Sequence, residues 1–203
     1  MNRKWSQRLD LTRARRGVIG VLASIVLALS VPAAQASLAF GASSPQAIWQ
    51  AARHQAHAVD EGHGRHALFV FVDPNCPFCH TLFEQLQPLI GPHDLTVHWV
   101  VVGILRATSA GKAAAILGAR DPLAALMRSE KGFRRGGGGG AIRPVPVRGS
   151  AAAALAANDH VLAMTGPELV PTLVYRNAAG QVIVHQGVPL EPHGLLWTVD
   201  AIR

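Results

Sequence analysis

The chain has 203 residues and 19 Lys+Arg against 12 Asp+Glu, but the basic excess is unevenly spread. Six basic residues and one acid fall in Met1–Arg16, leaving 13 against 11 in the remainder, a net of +2. The high isoelectric point is therefore no argument for nucleic-acid binding, and two cysteines are too few for a disulfide-stapled scaffold.

The basic Met1–Arg16 precedes Gly17–Leu29, which is continuously apolar or small, then Pro32 and a small-x-small pattern at Ala34-Gln35-Ala36. This order predicts a secretory signal peptide over residues 1–36, cut after Ala36. The alternative is an uncleaved N-terminal anchor, disfavoured by the short apolar run. The remaining 167 residues suffice for one domain with a proper core.

Ser37–His66 reads as a leader followed by a linker-like helix over Pro45–Val59, with Ile48, Trp49, Ala52 and Ala56 on one side. His54, His57, His63 and His66 raise the thought of a metal site. No carboxylate or cysteine stands at a helpful spacing, so solvated surface histidines are expected and no metal.

Ala67–Ile90 is the stretch around which the rest is organised. Ala67–Val72 is an apolar strand, Asp73-Pro74-Asn75 a tight turn, and Leu82, Phe83, Leu86 and Leu89–Ile90 recur at helical spacing. The helix opens at Cys76, with Pro77 suited to its first turn. Unpaired N–H groups and the positive end of the helix dipole favour a thiolate there. Cys76 is expected to be exposed, with Cys79 one turn deeper and able to close a small disulfide. Cys76-Pro77-Phe78-Cys79-His80 admits three readings: a dithiol redox pair, a covalent c-type haem attachment, or half of a zinc site. The strand–turn–helix setting favours the first, and no second cysteine pair supports the third.

Leu95–Val102 reads as a second, central strand. Thr108–Ala119 and Asp121–Lys131 are predicted helices, the latter capped by Asp121 with Pro122 at its first position. Arg134–Gly140, with five consecutive glycines, is expected to be a flexible surface loop; it lacks the ending a phosphate-cradling loop needs. Ser150–Met164 is an Ala-rich helix. Pro171–Arg176 and Gln181–Gln186 form a hairpin, and Leu190–Ile202 a terminal helix. The expected fold is α/β, a central sheet of about four strands with helices on both faces and a helical insertion at about 104–164 within a domain spanning 67–203.

Strand, Cys-x-x-Cys, helix and a distant Val170-Pro171 hairpin resemble the thioredoxin fold. More narrowly, Asp73-Pro74-Asn75-Cys76-Pro77-Phe78-Cys79-His80, the segment Val101–Pro122 and the ending Gly187-Val188-Pro189 are similar to the DsbG/DsbC group of periplasmic thiol–disulfide proteins. That resemblance implies Cys76 as the attacking thiolate and Cys79 as the resolving thiol. It implies Pro77, Phe78 and His80 as tuners of redox poise, and Val170 beside a cis Pro171 as the substrate-binding segment. His80 adds positive charge when protonated, or else is a plain helix-surface residue.

No cofactor is implied beyond a redox-active Cys76–Cys79 disulfide, and haem becomes remote. The implied partners are cysteine-containing proteins outside the cytoplasm and a membrane electron donor of the DsbD kind, with no nucleic acid. The chain departs from the group in two respects. Val170 stands where isomerases usually carry threonine, as in oxidases of the DsbA kind. The residues before His66 leave room for a linker helix but not for the isomerases' dimerisation domain, which implies a monomer or weak dimer. A non-catalytic thioredoxin-like binding module is the alternative from another class.

Overall fold

The computed structural model describes residues 42–189 and 194–202. The expected leader and cleavage site, and the first residues of the expected terminal helix, lie outside them.

The elements in chain order are α1 (Pro45–His54), β1 (Ala58–Glu61), β2 (His66–Val72), α2 (Pro77–Leu86), β3 (Leu95–Val101), α3 (Ser109–Leu117), α4 (Pro122–Lys131), α5 (Gly149–Ala163), β4 (Thr172–Arg176), β5 (Val182–Gln186) and α6 (Gly194–Ala201). They build one five-stranded mixed sheet in the order β1-β3-β2-β4-β5. β2 and β3 are parallel, with Leu68 opposite Val97 and Val72 opposite Val101. The other pairings are antiparallel. The class is α/β with the thioredoxin-like arrangement, helices covering both faces.

β2 is central because its side chains are apolar on both faces. Leu68, Val70 and Val72 pack with Leu82, Phe83, Leu86, Trp99 and Leu126 on one side. Phe69 and Phe71 pack with Ile48, Trp49, Val100, Leu162 and Val174 on the other. A strand buried on both faces reads as a continuous apolar run rather than an alternation, which is what Ala67–Val72 displays. Phe71 and Trp99 are fully buried, each worth roughly 1.5–3 kcal/mol of transfer free energy or more.

Two expectations change. The first helix stops at His54 rather than reaching Val59, and Ala58–Glu61 forms a fifth strand paired with β3. Ala-Val-Asp-Glu has little strand propensity; the free edge of β3 supplies the ladder, a tertiary effect overriding local preference. The hairpin, the Asp121 cap (Ala124 N–H to Asp121 Oδ1, 2.9 Å) and the Ala-rich α5 sit within a few residues of their expected places. Among the described residues no helix is long and apolar enough to cross a membrane.

Candidate functional site

The site is built at the carboxyl end of β2. Asp73, which ends the apolar run, is buried and accepts four hydrogen bonds: from Asn75 N–H and Ser109 Oγ–H at 2.8 Å, and from Ile104 and Leu105 N–H at 2.9 Å. Its carbonyl accepts from Cys76 N–H at 2.9 Å. One carboxylate thereby ties the turn before Cys76 to the segment leaving β3. A buried charge is tolerated only when its lone pairs are satisfied in this way.

Cys76 is the N-cap of α2, and Pro77 takes the first helical position. Its sulfur accepts the N–H of Cys79 at 3.0 Å and faces the carbonyl oxygen of Val170 at 3.6 Å. The hydrogen bond from Cys79 and those from the backbone lower the Cys76 pKa, outweighing the opposing effects of burial and of Asp73. Burial pushes the Cys79 thiol well above its ordinary value, and the neighbouring Cys76 adds to this. The two thiols are therefore unequal: one poised to ionise, the other held protonated. The expected exposure of Cys76 is corrected. Both cysteines are about 2% exposed, because the Val170–Pro171 segment lies over the end of α2.

The Val170–Pro171 bond is cis, and Pro171 O accepts from Gly187 N–H at 2.7 Å. Thus Cys76, Pro77, Phe78, Cys79, Val170 and Pro171 gather at one end of the sheet. Phe78 is 63% exposed and Leu169, preceding Val170, 52%, so each of the two segments flanking the sulfur carries an exposed apolar side chain.

His80 is not a surface residue. It is buried, its ring stacked on Phe133 at 4.4 Å, with Nδ1 2.9 Å from Glu130 Oε2 and Nε2 3.5 Å from Glu84. Burial raises the Glu130 carboxyl to about 7, against the lowering effect of its bond with His80. The side chain thus turns toward α4.

The glycine-rich loop also departs from expectation. Gly139 and Arg134 exchange backbone hydrogen bonds of 2.9 Å, and Gly140 N–H donates to Pro74 O at 2.7 Å. Gly139 has φ +60°, and a Cβ there would collide with Asn75 Oδ1. The loop is seated on the turn before Cys76, and glycine is required at the point of contact. A Cβ added at Gly136 or Gly137 would meet open space, and Gly137 is tied through its carbonyl, which accepts from Arg106 Nη1 at 2.9 Å.

Between loop and turn stands Lys112. Its ammonium donates to Asn75 Oδ1 (2.8 Å), Gly138 O (2.6 Å) and Gly140 O (2.8 Å), using all three protons. Burial lowers its pKa. Asn75 Nδ2 donates in turn to Thr108 Oγ1 and Ser109 Oγ. The sequence reading assigned no role to Asn75, Lys112 or Glu130. A signal existed: Lys112 falls on the same α3 stripe as Ser109, Ala113 and Ile116, a lone charge on a buried face. Of the four histidines considered for metal binding, His54, His57 and His63 are exposed and His66 is half-buried. Among the described residues no group of three His, Cys, Asp or Glu is arranged to hold a metal.

Strand, buried carboxylate turn, Cys-x-x-Cys at a helix start and an opposing cis-proline define a thioredoxin-fold dithiol protein. In sequence the chain is similar to the thiol:disulfide interchange protein DsbG of Pseudomonas aeruginosa, 29% identical over 70% of this chain and 55% of that protein. It is also similar to Escherichia coli K12 DsbG, 25% identical over 60% of this chain and 48% of the relative. The chain spans about half the length of these curated relatives. Among solved structures it is similar to a disulfide interchange protein from Neisseria gonorrhoeae: 25% identity, TM-score 0.51, covering 71% of this chain and 94% of that one. No family model matches. The chain is DsbG-like in sequence and thioredoxin-like in fold.

Proposed function

We propose that the chain is a periplasmic thiol–disulfide oxidoreductase that reduces or isomerises disulfides in exported proteins. The observation that carries this reading is the unequal dithiol: Cys76 sulfur stabilised by Cys79 N–H at 3.0 Å, Cys79 held protonated by burial.

The Cys76 thiolate attacks one sulfur of a substrate disulfide. A Cys76–substrate S–S bond forms, the substrate S–S bond breaks, and the departing thiolate takes a proton. Cys79 then loses its proton and attacks the Cys76 sulfur, releasing the substrate thiol and leaving a Cys76–Cys79 disulfide. The substrate has gained two electrons, which a membrane dithiol donor of the DsbD kind returns to the pair. In isomerisation a second substrate thiol resolves the mixed disulfide and no net electrons move. The same thiolate can attack a sulfenic acid, with the oxygen leaving as water. No other cofactor enters. Val170 and Pro171 present backbone to an extended substrate segment, while Pro77, Phe78 and His80 tune poise. Residues 1–36 act as the export leader, and the chain works as a monomer or weak dimer.

The test is the reduction potential of the Cys76–Cys79 pair against glutathione, with the redox state recovered from cells. A pair recovered reduced supports the reductase or isomerase reading. A pair near −120 mV recovered oxidised supports a net oxidase, the second reading, which Val170 before the cis-proline favours. Cys76→Ser abolishes activity in either case; unaltered activity would instead make the chain a binding module.

A further inference from the structure

The near-neutral balance of residues 37–203 hides a separation of charge. Residues 104–148, from the end of β3 to the start of α5, hold nine Lys and Arg against two Asp and Glu. The rest of 37–203 holds four against nine. The insertion thus carries a formal +7 and the frame −5. Eight of the nine cations are exposed, Lys112 being the buried one. Among the described residues only Arg135 of these has a carboxylate within ion-pair distance, Glu84 at 3.6 Å.

Three of the exposed cations abut the redox turn. Arg106 Nη1 donates to Gly137 O at 2.9 Å, and Arg134 pairs through its backbone with Gly139, which rests on Asn75. Arg135 Nη2 donates to Thr81 Oγ1 at 3.2 Å, on α2 just beyond the cysteine pair. Leu105, next to Arg106 in the chain, and Phe78, three residues before Thr81 on α2, are exposed apolar side chains.

We propose that Arg106, Arg134 and Arg135 form a docking surface for an acidic stretch of polypeptide flanking the substrate cysteine. This deepens, and rests on, the oxidoreductase reading above. The charge separation selects a short acidic segment over an extended polyanion. A segment laid from the sulfur across the glycine loop meets Arg106, Arg134 and Arg135 with one carboxylate, Glu84, beside Arg135, whereas a nucleic acid or anionic membrane extends over the acidic frame and is repelled. Opposed charges of this kind act mainly on encounter rate and discrimination.

The experiment uses the reduced protein and two disulfide peptides, identical except for three Asp or three Lys beside one cysteine. Each rate is normalised to that with dithiothreitol, because flanking charge alters intrinsic disulfide reactivity. At low ionic strength the Asp peptide should react at least about tenfold faster, and about 0.5 M salt should remove most of the advantage. The variant R106Q/R134Q/R135Q should lose most of the preference and still reduce neutral bis(2-hydroxyethyl) disulfide at the parent rate. Equal rates for the two peptides, or an advantage insensitive to salt in the parent protein, would overturn the proposal. So would binding to phosphatidylglycerol vesicles or duplex DNA without peptide discrimination. If the neutral disulfide is also inert, the oxidoreductase reading fails and the docking surface with it; a reactive neutral disulfide with no peptide preference removes the docking surface alone.

Discussion

The two sides of Cys76 are constructed in opposite ways. Behind it, Asp73, Asn75 and Lys112 are buried and bonded to one another, to α3 and to the glycine loop. In front, Phe78 and Leu169, on the two segments that meet at the sulfur, are apolar and exposed. Buried polar groups fix a geometry because each lost bond is expensive, whereas exposed apolar groups cost little to leave in place and gain when a partner covers them. Position is set from behind the sulfur and contact is left open in front.

The contrast is most severely tested at Lys112. Lys112→Met removes the only cation bonded to Asn75 Oδ1 among the described residues and leaves two loop carbonyls without it. About 1–3 kcal/mol of stability should be lost in urea unfolding, the cost of leaving buried acceptors without a donor. A loss below about 0.5 kcal/mol would show that the buried side does not act as a unit.

Glu130 gives a pH signature of nearly that size. Its carboxyl, about 7 folded against an ordinary 4.5, binds more protons in the native than in the unfolded state between those values. Its contribution is therefore complete below pH 4.5 and is lost as pH rises to about 7, at most about 3 kcal/mol. Glu130→Gln should flatten the stability profile across that window; an unchanged slope would assign the titration elsewhere.

Two glycines of one loop should behave differently. Gly139→Ala forces a side chain into a left-handed backbone and onto Asn75, costing at least about 1–2 kcal/mol from the backbone alone. Gly136→Ala meets open space and should leave stability unchanged or raise it by up to about 1 kcal/mol. Matching effects at the two positions would mean that the loop is not seated as described.

On the open side, Phe78→Ala should change stability by less than about 0.5 kcal/mol while lowering kcat/KM for a protein disulfide severalfold. A large loss of stability there would blur the division between the two sides.

The sequence disclosed most where one residue type has one local consequence. An apolar run running into Asp-Pro-Asn, a proline after an N-cap and Asp121-Pro122 located β2, α2 and α4 closely. What escaped it depended on partners far along the chain. β1 exists through pairing with β3, Cys76 is covered from Val170, and His80 is buried against Glu130, 50 residues on. The glycine loop is the clearest case. Five glycines look alike in sequence, and only their distant neighbours separate Gly139 on Asn75 and Gly140 against Ser129 and Pro74 from Gly136, where an added side chain would meet open space.

The bonding of Lys112 also has an analytical consequence. The chain contains three lysines, Lys4, Lys112 and Lys131. Lys131 is exposed, whereas the Lys112 amine has no free proton and almost no access to solvent. An amine-acylating reagent should therefore mark Lys131 at once and Lys112 only when the turn opens. The ratio of the two labels in a single digest becomes a clock for that opening, one that can be compared between the dithiol and disulfide forms without altering either cysteine.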